Sequence, residues 1–160
     1  MVISHIATSL DHDERLFLAI LLIGFHGLLQ LGELTFSDKV DSCDYRKVTL
    51  CHTIKLASTS YSFLLPGHKA DRLFEGNTII IQKISLPSNP HNFFLLYLIS
   101  QDHLHPLKPE LWLHKSGIVL THSWFIKKLQ CFFPSDITGQ SMHAGGATSL
   151  AEAGVSPDII

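Results

Sequence analysis

The feature that most constrains this chain is the run Leu16-Phe17-Leu18-Ala19-Ile20-Leu21-Leu22-Ile23-Gly24-Phe25, ten residues without a polar side chain. An amphipathic surface helix keeps one polar side, whereas an element apolar all round must be enclosed by the rest of the fold. Ten residues are about half of a bilayer span, and His26 and Gln30 follow at once, so the run reads as a buried helix. The preceding Asp11-His12-Asp13-Glu14-Arg15 is acidic where a secretory signal would be basic. The same acidic residues suit the first turn of a helix capped by Ser9 or Asp11 and extending to about Leu31. With 160 residues, 46 % hydrophobic and 16 % charged, the chain is sized for one globular unit around that helix, and disordered, collagen-like and coiled-coil readings are excluded.

Further elements follow from local chemistry. Val48–Ser62 is rich in Thr, Ser, Ile and Val, and Asn77–Lys83 is β-branched, so both read as strands of a small antiparallel sheet. Between them Pro66-Gly67-His68-Lys69-Ala70-Asp71 is turn chemistry that sets a lysine near a hairpin tip. Phe93–Gln101 is apolar enough for a second buried helix, and Pro106 and Pro109 introduce a loop with Trp112 and Gly117. Thr121 is placed to cap a helix through Trp124, Lys127, Lys128 and Leu129 that ends before Pro134. Gly139 to Gly154 reads as a small-residue helix with a glycine C-cap. The fold class is α+β, mainly α.

Charge and cysteine content limit function. Twelve Lys and Arg against fourteen Asp and Glu leave −2, so no overall positive field holds nucleic acid and any DNA contact must be local. The eleven histidines reverse that sign when protonated, so polyanion binding should strengthen on acidification. Cys43, Cys51 and Cys131 form neither a Cys-x-x-Cys pair nor a disulfide framework, which suits a reducing, intracellular compartment. Cys51-His52, His103-x-His105 and His114 with His122 match no zinc spacing, and no metal or other cofactor is expected.

Three local motifs carry a resemblance. They are Gly27-Leu28-Leu29-Gln30-Leu31-Gly32-Glu33-Leu34, then His68-Lys69-Ala70-Asp71-Arg72 after Phe63-Leu64-Leu65, then Gly139-Gln140-Ser141-Met142-His143-Ala144-Gly145-Gly146-Ala147-Thr148. In this order and spacing, over about residues 10 to 160, they resemble the catalytic domain of the tyrosine recombinases (phage-integrase family), in the divergent form carried by eukaryotic mobile elements. The resemblance implies a helical catalytic domain with a small antiparallel three-stranded sheet, preceded by an extension over residues 1–9. It implies DNA binding, DNA recombination and DNA integration as the family role, a nuclear location, weak and non-specific duplex DNA as partner, no membrane, and association between copies.

The family joins a tyrosine hydroxyl to a DNA phosphodiester, meets the developing charge with two bidentate arginines and protonates the leaving oxygen with a lysine, all without a metal. The resemblance places Lys69 at the lysine position. Gln30 and His143 stand where the arginines belong, and Gln140 stands in place of a histidine. The family's nucleophile lies beyond the third motif, so the implied domain lacks that segment here. Tyr45, Tyr61 and Tyr97 all precede the third motif and read as a loop, a strand and a buried-helix residue. The expectation is a DNA-binding relative of the site-specific recombinases, inactive in strand cleavage by itself, with Lys69, Arg72, Lys127 and Lys128 as DNA contacts. Two alternatives stand beside it: a helical interaction protein or decaying fragment without DNA function, and an active recombinase completed by a further C-terminal segment. The simpler reading of Lys127 and Lys128 is a solvated helix face, and that of Gly145-Gly146 is close helix packing, since no strand and Gly-Lys-Ser/Thr surround the pair.

Overall fold

Asp11 accepts the Asp13 N–H and starts helix α1 (His12–His26), which buries Leu16 to Ile20, Leu22, Ile23 and Gly24 as an element apolar on all sides requires. The computed structural model describes residues 8–9, 11–39, 41, 44–66, 76–86 and 88–152. Helix α1 does not reach Leu31. Gly27 closes it with a bond to the Ile23 carbonyl, and the Leu29 N–H donates to the Gly24 carbonyl at 3.1 Å, the six-to-one bond of a Schellman turn. The left-handed residue of that turn is Leu28, at φ 53°, and not the neighbouring glycine. A leucine there costs about 1–2 kcal/mol of backbone strain.

A four-residue helix, α2 (Leu31–Leu34), follows. Two single 3₁₀ turns, Tyr45–Lys47 and Cys51–Thr53, lead to strands β1 (Lys55–Leu56), β2 (Ser60–Leu65) and β3 (Asn77–Gln82). The sheet is antiparallel in the order β1-β2-β3, with Leu56 opposite Tyr61, Tyr61 opposite Ile81, and Leu65 opposite Asn77. Val48–Ser62 is therefore not one strand. Its first half is held as a turn because the Cys51 N–H goes to the Pro109 carbonyl at 2.8 Å and the Thr53 hydroxyl to the Leu50 carbonyl at 2.8 Å. Alternation along β2 buries Tyr61, Phe63 and Leu65. The Tyr61 ring lies 3.9 Å from Phe94 of α3 (Pro90–Leu104), nearly parallel, and Phe63 meets the edge of Trp112. Gly76, at φ 73°, enters β3 where a Cβ would sit 2.5 Å from the Leu65 carbonyl oxygen, so only glycine fits.

After α3 the chain crosses back over α1 and α3 as a loop to α4 (His122–Phe132) and then α5 (Gly139–Glu152). Helix α1 packs on both α3 and α5, and Phe17 of α1 touches Phe125 and Phe132 of α4. The α1–α5 contact depends on missing side chains. A Cβ at Gly146 would overlap the Phe25 carbonyl oxygen, and one at Gly145 would lie 3.2 Å from the Phe25 ring. The glycine pair is thus a packing device, as the simpler reading holds. The C-cap position at Gly154 and the turn carrying Lys69 and Arg72 lie outside the described residues. No helix among the described residues is long and apolar enough to cross a membrane.

Candidate functional site

The first and third motifs meet in space. Gln30, at the start of α2, and Gln140, in the first turn of α5, line one open cleft of about 520 Å³ together with Leu31, Thr138, Ile126 and His122. Two local devices bring them there. The Schellman turn hands the chain from α1 to Gln30, whose N–H donates to the Glu33 carboxylate at 2.7 Å and fixes the entry to α2. On the facing wall, Gly139 admits Leu31 so closely that a Cβ would lie 2.8 Å from its Cδ2. Both glutamine side chains are exposed, so the cleft presents two neutral amides, the Thr138 hydroxyl and the His122 imidazole. No lining residue carries a fixed positive charge.

His122 is the cleft residue that the sequence motifs do not single out. Its signal was its place directly after Thr121, at the first position of α4. Thr121 occupies the cap position, but its side chain does not cap the helix. The cap comes from Asp38, whose carboxylate accepts the Ser123 N–H at 3.0 Å and the Ser123 hydroxyl at 2.6 Å. The Ser123 hydroxyl first, its N–H, and the nearby His122 hold the Asp38 carboxyl below its ordinary value. Backbone bonds from Phe36 to Leu120 and from His122 to Phe36 tie α4 to the segment after α2. Asp38, Lys39, Lys47 and His122 border an adjoining cleft of about 380 Å³.

Other expected site residues stand apart. His143 lies one turn beyond Gln140 on α5, half-buried, and does not line the cleft. Lys127 is exposed and Lys128 half-buried on α4, and neither reaches it. Lys69 and Arg72 belong to the β2–β3 connection outside the described residues. The three tyrosines sit as expected: Tyr45 in an exposed turn, Tyr61 in β2 and Tyr97 in α3. None lines the cleft. Burial pushes the Tyr61 and Tyr97 phenols far above their ordinary value, which keeps both protonated. Among the described residues no group of three or more His, Cys, Asp or Glu is arranged to hold a metal ion. The chain matches no protein-family model and no curated protein.

Proposed function

We propose that this chain is a duplex-DNA-binding relative of the site-specific tyrosine recombinases that does not cleave DNA by itself. The observation that supports this reading is the cleft in which Gln30 and Gln140 face each other from motifs 110 positions apart in sequence. Amide and hydroxyl donors on both walls suit a phosphodiester oxygen, but a transition-state clamp needs charge. Losing one preorganised donor from such a clamp lowers the rate by about 10²–10³, and here one arginine position, Gln30, is neutral and the other, His143, does not line the cleft. The placement of all three tyrosines off the cleft adds that cleavage would need a nucleophile from outside these residues.

DNA affinity on this reading comes from Lys69, with Arg72, Lys127 and Lys128 as additional phosphate contacts, and is weak because the whole chain is acidic. The test is fluorescence anisotropy of a labelled duplex titrated with the whole chain in low and moderate salt. Lys69→Ala should weaken binding and lower the salt slope by about one unit. Gln30→Arg should tighten it by placing a cation on the cleft wall. Binding that ignores salt, or no binding by either the parent or Gln30→Arg, would refute the DNA reading and favour an interaction protein without DNA function.

A further inference from the structure

The connection between α3 and α4 holds a cluster of imidazoles that the cleft does not use. His12, in the first turn of α1 and 3 % exposed, donates from Nε2 to the Leu113 carbonyl at 2.8 Å and has Nδ1 2.8 Å from the Ser100 hydroxyl. His105, at the end of α3, reaches the His114 and Lys115 carbonyls at 3.2 and 3.0 Å. His114 is 8 % exposed, lies edge-on to Trp124 at 4.5 Å, and leaves Nδ1 buried without a partner. As a lone pair that nitrogen is already an unmet acceptor, and protonation puts a charged ring and an N–H there with no acceptor.

His105 grips and His114 begins one short turn, residues 114–119, while His12 holds the Leu113 carbonyl just before it. It is closed by the His114 N–H to Ile118 carbonyl bond, passes through Gly117 at φ 86°, and is pinned by the Lys115 N–H on Asp13 and by the Lys108 ammonium on the Gly117 carbonyl. On either side Leu113 and Leu120 are fully buried and act as fixed anchors, whereas Ile118 within the turn is 63 % exposed. The turn is thus fastened by polar bonds and hinged between apolar ones.

We propose that residues 114–119 form an acid-released strap, which protonation of His114 at its partnerless Nδ1, beside the charge of a protonated His12, frees from α1 and α3 while the rest of the fold stays closed. The charges facing these rings are mixed. Asp13 on α1 favours both imidazolium forms and the capping Asp11 that of His12, while His105 opposes that of His12 and His12 opposes that of His114. Lys115 on the strap and Arg15 and His103 border the cleft beside His12, and the Tyr97 ring of α3 lies 5.2 Å from it. Burial is the largest influence on both rings and holds both below the ordinary histidine value. Release would uncover the side of Trp124 that the strap shares with Asp13 and Thr121 in a cleft of about 630 Å³. This inference does not depend on what the glutamine cleft binds.

The chain contains only Trp112, in the core, and Trp124, beside the strap, so tryptophan emission reports on it directly. Emission wavelength and far-UV circular dichroism are followed together on the whole chain from about pH 7.5 to about pH 5, the span in which histidines titrate. The expected result is a red shift of emission without loss of helical signal, absent or displaced by about one pH unit in His12→Gln and in His114→Phe. Because His114→Phe alters packing on Trp124, Asp13→Asn is measured as well and should move the transition to lower pH. Quenching without a red shift would mean that His114 titrates in place and would overturn the proposal. So would helical signal lost in step with emission, no transition at all, or a midpoint the same in all three variants.

Discussion

Gly146→Ala isolates the contact on which the α1–α5 packing rests. Alanine is the better helix former by about 1 kcal/mol, so local propensity alone predicts stabilisation. Against that, the new methyl would overlap the Phe25 carbonyl oxygen and lie 2.7 Å from Leu28 Cδ2. A backbone oxygen cannot rotate away, so α5 must lift from α1 and loosen the buried Met142 and the Leu31–Gly139 contact. Overpacking of this kind costs about 1–3 kcal/mol, and a clash with backbone lies at the upper end or beyond, so a net loss of about 2–3 kcal/mol is expected. For a chain of this length that lowers the melting temperature by about 5–12 °C. Thermal and urea unfolding followed by circular dichroism measure it. Two glycines calibrate the result. Gly32, with nothing within 4 Å of a Cβ, should accept alanine without loss. At Gly24 the nearest atom, 2.8 Å away, is the terminal methyl of Met142, which can swing aside, so the cost should be under about 1 kcal/mol. A Gly146→Ala protein as stable as the parent would refute the packing argument and with it the reason that Gln30 and Gln140 share a cleft.

Three other outcomes follow from the same geometry. The buried Tyr97 hydroxyl lies 2.5 Å from Gln101 Oε1 and 2.6 Å from the Leu111 carbonyl and accepts the Leu113 N–H at 2.9 Å, so Tyr97→Phe should cost about 1–3 kcal/mol in urea unfolding by orphaning that N–H. Asp38→Ala removes the cap of α4 and should cost about 1 kcal/mol, measured the same way, with a smaller loss for Asp38→Asn. His12 and His114 titrate below their unfolded value, so the unfolded chain binds more protons in the acidic range. Their contribution is complete above about pH 6.5 and is lost as pH falls from there through the folded values. The denaturation midpoint should therefore decline on that side, and the decline should be shallower in His114→Phe.

The acid response of DNA affinity has two opposing parts. Histidine protonation makes the chain more cationic and strengthens polyanion binding. Strap release loosens the segment leading to Thr121 and His122 on the cleft wall.

Legibility in the sequence followed how local each cause was. Helix α1 was evident because ten consecutive apolar residues leave it only one environment, and α3 and α4 showed the same kind of signal in Phe93–Gln101 and in the apolar side of Thr121–Leu129. Helix α1 ends at His26, five residues before the end that its apolar run implies. Gly27 is a stop signal, but the left-handed turn falls at Leu28, whose side chain lies against Gly146. Local propensity disfavours that conformation for leucine, and the Schellman bond from Leu29 to Gly24 is joined there by packing of the Leu28 side chain beside Gly146, 118 positions away. Thr121 was assigned a cap that Asp38 provides, and Val48–Ser62 was read as continuous although Pro109 bends its first half into a turn. The candidate site divides the same way: Gln30 and Gln140 stand out in their motifs, while the one mark of His122 is its place directly after Thr121, at the start of α4.

The order of residues alone determined which segments must be buried, that the chain carries no net positive charge, and that small side chains cluster after Gln140. These depend on side-chain size, polarity and charge, which neighbours along the chain do not alter. Tertiary structure decided what those small side chains are for, where α1 stops, and that two glutamines and a histidine from three separate elements border one cleft. It also decided that the imidazoles of His12, His105 and His114 converge on a single turn. Each of these is a distance between groups remote in sequence, and such distances exist only once α1 is enclosed and the helices around it are close-packed.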